Sequence, residues 1–163
     1  MSKETFEQLI NAVVKNKTLA EQLILKNPAS VDVRNGIGET VLHYLAVENQ
    51  IEDVAWLIEH GSPINTVNDF GDTPLSESAS LGYYDLCEFL LNEGADPRVK
   101  NPEGDTALSE AAISDQHNVV ELLLGYIKSG EPLRDFFSQV THDVLLDQES
   151  KSAKLIRLRG LKW

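Results

Sequence analysis

The sequence predicts an all-α fold: a solenoid of about four helix-turn-helix units closed by a C-terminal capping helix. The strings Gly38-Glu39-Thr40-Val41-Leu42, Gly71-Asp72-Thr73-Pro74-Leu75 and Gly104-Asp105-Thr106-Ala107-Leu108 recur at an interval of 33 residues, each followed by an alanine, at 46, 79 or 112. Within an interval, apolar residues take helical spacing twice. Units in such a register cannot bury their apolar faces singly, so they must stack.

The units fall near 2–34, 35–67, 68–100 and 101–128, followed by a capping helix and a basic tail over 129–163. Shifting back by 33 from Leu42, Leu57 and Ile58 lands on Leu9, Ile24 and Leu25, so the first unit reads as a degenerate repeat. Degeneracy suits a terminal cap, whose outward face is expected to be polar. The third unit is the clearest. Thr73 caps a helix whose first position is Pro74, and Leu75 and Ala79 recur at i and i+4. Gly82 stops that helix, and a second follows with Leu86, Phe89 and Leu90 on one face. Gly94 ends the second helix by taking a left-handed conformation that a side chain would resist. Beyond the fourth unit, Pro132 opens a stretch in which Leu133, Phe136, Phe137, Val140 and Val144 fall at helical intervals, predicting one more amphipathic helix over the last repeat. Residues 154–163 partly alternate apolar and basic side chains, which fits either a short extended segment or a frayed helix.

The string from Gly71 through Ala79 and Gly82 to Leu90-Leu91-Asn92-Glu93-Gly94-Ala95-Asp96 resembles the ankyrin repeat. The second unit is similar through Thr40-Val41-Leu42-His43, Ala46 and Trp56-Leu57-Ile58-Glu59-His60-Gly61, but departs at Val41 and Asn49, where proline and glycine are usual. The fourth is similar through Leu108, Ala111-Ala112 and Val119 to Leu124, then loses the Gly-Ala-Asp ending. The resemblance implies that the first helix of each unit lines a concave binding face. It also implies that His43 bonds turns of adjacent units and that Ser76 and Ser109 occupy the same position.

Composition narrows the function. A net charge of −12 is unevenly spread: Lys151, Lys154, Arg157, Arg159 and Lys162 lie beyond residue 150, where there is no acid, so residues 1–150 hold 9 basic and 26 acidic groups, a charge of −17. Such a body repels nucleic acid and accelerates association with positively charged proteins. The basic tail is expected to fold back on this acidic body. The apolar runs are far shorter than the roughly 20 residues of a membrane helix, and residues 1–6 lack a signal-peptide pattern. The lone Cys87 sits in an apolar run and reads as core, which suits a reducing cytoplasm. Four histidines without ligand spacing, no Gly-x-Ser-x-Gly turn and no phosphate-cradling glycine loop predict no metal, no cofactor and no catalytic residue.

The expected function is therefore binding. Taking Leu75 as pointing inward and advancing roughly 100° per residue places Glu77 and Leu81 on the opposite side of the helix. Their equivalents are Tyr44 and Glu48 in the unit before, and Glu110 and Ile113 in the unit after. Turn tips add Glu39, Asp69, Phe70, Asp72, Glu103 and Asp105. Apolar anchors rimmed by carboxylates predict a contact surface for a basic protein, with the chain monomeric when free. In size and acidity the sequence is similar to bacterial immunity proteins of the ankyrin type. That resemblance implies neutralisation of a toxin or nuclease-like effector; a non-inhibitory adaptor is the alternative.

Overall fold

The computed structural model describes residues 3–127, 132–138, 141 and 149–159. The fold is an ordered stack of helix pairs. Helices α1 (Lys3–Lys15) and α2 (Lys17–Lys26) form the first pair, α3 (Val41–Val47) and α4 (Ile51–Glu59) the second, α5 (Pro74–Leu81) and α6 (Tyr84–Asn92) the third, and α7 (Ala107–Ile113) and α8 (His117–Tyr126) the fourth. The first helices pack in sequence, α3 on α5 and α5 on α7, and α6 packs on α8. No helix among the described residues is long and apolar enough to cross a membrane.

Small residues set the spacing of this row. Ala46, Ala79, Ala111 and Ala112 are fully buried beside Leu42, Leu45, Leu75 and Leu108, which are at most 1% exposed. The short helices α3, α5 and α7 start alike: Thr40, Thr73 and Thr106 form capping boxes with His43, Ser76 and Ser109. Their ends share a backbone requirement too. Asn49, Gly82 and Asp115 stand 33 apart and all have positive φ, at 55°, 77° and 53°. Asn49 therefore keeps the turn of the repeat, because asparagine and aspartate tolerate the left-handed conformation better than other side chains.

Each linking turn closes on an asparagine. Asn68 Oδ1 accepts the N–H groups of Phe70 and Asp72 at 2.9 and 3.0 Å. Asn35 does the same for Ile37 and Glu39, and Asn101 holds Asp105. Successive turns touch. Asp69 N–H donates to the Ile37 carbonyl at 3.1 Å, and a Cβ on Gly71 would lie 2.5 Å from Cδ of Pro102 and 2.9 Å from Cα of Asn101.

The two ends depart from the sequence-based expectation. Leu9 is buried as the register requires and Ile24 is half-buried, but Leu25 is 81% exposed. The buried side of α2 runs through Ala20, Leu23 and Ile24, and Leu25 is rotated roughly 100° away from it. Nor is the outward face of this first pair uniformly polar, since Val14 and Leu19 are 50% and 44% exposed. At the other end, the stretch opened by Pro132 begins with a 3₁₀ turn over Leu133–Phe136, and Thr141 is helical. Phe136 and Phe137 are buried; Val140 and Val144 lie outside the described residues. The Phe136 carbonyl accepts the hydroxyls of Thr106 (2.8 Å) and Ser109, and Ser138 N–H donates to Asp105 at 2.9 Å. These seven residues thus close the fourth turn where another unit's turn would lie. Part of the tail is helical: α9 (Lys151–Leu158) packs on α8 through buried Ala153 and Ile156, and Ser152 N–H donates to Asp115 at 3.0 Å. Apolar burial and hydrogen bonding of Asp115 to the start of the helix contribute to that docking. Lys154 pairs with its neighbour Glu149 and not with the repeats.

Candidate functional site

The turn residue Asp72 and the first-helix residues Glu77 and Glu110 come together on the stack. Between α5 and α7 they frame a pocket of about 200 Å³ lined by Asp72, Glu77, Leu81 and Glu110, with Val47, Ser76 and Ser80. The repeat itself positions the two glutamates. Asn68 Nδ2 donates to Glu77 Oε1 at 3.0 Å, and Asn101 Nδ2 reaches Glu110 Oε1 at 3.5 Å. The same asparagine thus shapes the turn and holds the carboxyl nine residues on. Sequence reasoning passed over these asparagines, although Asn35, Asn68 and Asn101 keep the 33-residue interval and could have been found by it.

The electrostatics of the pocket are unusual for glutamate. Burial, followed by repulsion from Glu39 and Asp72, pushes Glu77 up to about 8, and its Oε2 is buried without a hydrogen-bond partner. Burial and the charges of Asp72, Asp105 and Glu103 push Glu110 up to about 6. Asp72 is raised by burial and by Glu103. Carboxylates crowded in a partly dry site disfavour one another's ionisation. Among the described residues no cation acts on these three carboxyls.

His43 sits beside this group but is structural. Its Nδ1 accepts from Thr40 N–H at 3.2 Å, which leaves the proton on Nε2, and Nε2 donates to the Asp72 carbonyl at 3.0 Å. Burial dominates and lowers its pKa to about 4, so the ring is neutral. Ser76 completes the same cap without crossing to the next turn, whereas Ser109 crosses to Phe136.

Tyr44, Leu81 and Ile113 are 40%, 45% and 42% exposed along the row, and Phe70 is 60% exposed at a turn tip. Glu48 and Glu103 are exposed, and Asp69 is exposed with its backbone bonded to the preceding turn. Asp105 is different. It is only 8% exposed and its carboxylate caps Ser138, so in this fold it closes the stack and offers no surface to a partner. Cys87 is fully buried and its thiol is pushed up to about 12 by burial, which makes it a core residue. Among the described residues no three metal-binding side chains converge.

A row of short helices with interlocking turns every 33 residues is matched by the family model for ankyrin repeats (3 copies), over residues 9–101. The chain belongs to the ankyrin-repeat family. Ankyrin repeats are protein–protein interaction modules, which suggests a protein partner for this chain. The match stops at residue 101, so α7, α8 and the closing segment lie beyond it. No curated protein matches the chain significantly.

Proposed function

We propose that this ankyrin chain binds a basic protein in one-to-one stoichiometry through the face built by α3, α5, α7 and their turns, and inhibits it by covering the positive surface. The observation that carries the reading is the pocket at Asp72, Glu77 and Glu110: raised carboxyls, an orphaned Glu77 Oε2 and the exposed side chain of Leu81 at its edge. A lysine or arginine entering it would meet the carboxyls while its aliphatic stem packs on Leu81 and Val47. Tyr44, Phe70 and Ile113 supply apolar contacts around it. With Glu77 raised to about 8, its ionisation belongs to the contact itself, and long-range steering falls to the exposed acids such as Glu48, Asp69 and Glu103. A nuclease-like toxin, with a basic cleft for phosphates, has the required chemistry.

The test is binding kinetics with the co-purifying protein. Association should slow as salt rises, since exposed charges are screened beyond about 8 Å near physiological ionic strength. Glu110→Lys should abolish tight binding, and complex formation at pH 7 should release protons as Glu77 ionises. Salt-independent association unaffected by Glu110→Lys would place the interface elsewhere. Growth of cells expressing the partner separates inhibitor from adaptor: a partner harmless without this chain leaves the adaptor.

A further inference from the structure

We propose that the cleft between α6 and α8, formed by second helices and apart from the first helices and their turns, docks a protein segment through one arginine whose guanidinium lies on Tyr84 and pairs with Glu121. The inference does not depend on the reading of the acidic pocket, and it concerns a different surface of the chain.

The cleft has a volume of about 550 Å³ and is lined by Tyr84 of α6 and by Asn118, Glu121, Leu122, Gly125 and Tyr126 of α8. That volume is within the range of sites that hold an organic ligand or a large side chain. All six residues are exposed or half-buried. Tyr84 opens α6, and Tyr126 closes α8, where its hydroxyl donates to Asn92 Oδ1 at the end of α6 at 2.8 Å. The two tyrosines thus mark the two ends of the cleft. Gly125 keeps it open. This glycine lies within α8 with φ outside the left-handed region, and a Cβ there would meet no neighbouring segment within 4 Å. Neither backbone nor packing therefore calls for glycine, which weakens a helix relative to alanine.

Charge and shape select the occupant. The Tyr84 hydroxyl hydrogen-bonds Glu88, so that carboxylate is engaged. Glu121 is exposed and, among the described residues, takes part in no hydrogen bond or ion pair. The charge of Glu88 leads the influences that raise the ionisation of the Tyr84 phenol above its ordinary value, and Asp85 and Glu121 add to it. Three acids therefore stand around one exposed ring, and no cation is among the groups that act on it. Of the cations on α9, which also packs on α8, Lys154 pairs with Glu149 and Arg157 acts on the same carboxylate; none lines the cleft. A guanidinium suits such a place: it stacks flat on an aromatic face, pairs with a carboxylate through two N–H groups and is more weakly hydrated than an ammonium. The segment that carries it runs on over Gly125, where an apolar side chain finds Leu122 and Tyr126. The −17 body favours the approach of such a segment.

The test is amide NMR of the full chain titrated with the peptide acetyl-Gly-Leu-Gly-Arg-Gly-Leu-Gly-amide and with its lysine and citrulline counterparts. Shifts should be largest over residues 84–88 and 118–126. The arginine peptide should bind about threefold tighter than the lysine peptide, and the citrulline peptide, which keeps the shape without the charge, should not saturate. Glu121→Gln should weaken arginine binding about fivefold. Gly125→Leu should remove it while melting no lower than the parent, because leucine favours a helix more than glycine does. Glu110→Lys should leave it intact, which separates the cleft from the pocket between α5 and α7. Shifts confined to the first helices and their turns, a lysine or citrulline peptide that binds as tightly, or binding that survives both Glu121→Gln and Gly125→Leu would overturn the proposal.

Discussion

The interior of the stack and its two ends satisfy the same kinds of backbone and apolar groups by different means. Between α3 and α7 every device comes from the repeat: a threonine cap, an asparagine that closes the turn, an alanine that lets the helices approach, and the next turn as a lid. At the C-terminal end the lid is supplied by residues outside the repeat, Phe136 and Ser138, and a helix from the tail covers α8. At the N-terminal end the corresponding side of the turn at 35–39 is a groove. A repeat therefore specifies its own interior, while its ends need separate solutions, and those solutions give this chain surfaces that a uniform array would lack.

Breaking the C-terminal solution should have the largest effect. Phe136 is 4% exposed and its carbonyl accepts two hydroxyls of the fourth cap, so Phe136→Ala should cost about 3–5 kcal/mol in denaturant unfolding. A smaller separate transition with the main one unchanged would mean that the closing segment is an appendage, and the contrast between interior and end would fail. Overpacking the interior comes next. Ala79→Leu or Ala112→Leu should cost about 1–3 kcal/mol, because α5 and α7 meet at side chains with no exposed surface.

Two smaller effects oppose each other in pH and sharpen the account of the interior. Glu77 has a folded pKa of about 8 against an ordinary 4.5, so between those values the folded state holds the proton more tightly and stability falls as pH rises. Glu77→Gln, which keeps the acceptor for Asn68, should stabilise by about 1–2 kcal/mol at pH 8, less than full linkage because the carboxyl keeps some solvent contact, and by nothing near pH 4. Titratable groups facing it are Glu39 and Asp72. His43 behaves in the opposite sense. Its pKa is lowered from 6.5 to about 4, so the stability it contributes is present above pH 6.5 and is lost as pH falls towards 4. His43→Ser, which borrows the residue used at positions 76 and 109, should cost about 1 kcal/mol at pH 7 by removing the bond to the Asp72 carbonyl, and the difference should shrink on acidification. Thermal melts across pH read both effects.

The stack and its caps were legible because they follow from local rules that repeat: threonine before a short helix, alanine at the close approach, and glycine, asparagine or aspartate at the left-handed position. The site was legible in part. Helical rotation placed Glu77, Leu81 and Glu110 on one side, where they line one pocket with Asp72. It could not tell that Asp105, at the same register as Asp72, is buried under Ser138, because that depends on a segment 33 residues away with no repeat signature.

By itself the sequence determined the period, the helix pairs, the buried small residues and the acidic residues carried by the first helices and their turns, all of which depend on spacing along a single chain. Tertiary structure alone decided the rest. It turned Leu25 outward, folded Leu133–Phe136 into a lid, made a helix of Lys151–Leu158 on α8, and left Ile37 and Tyr44 beside an open groove. The physical reason is the same in each case: burial of a group near an end depends on which non-repeating segment reaches it, and periodicity carries no information about that.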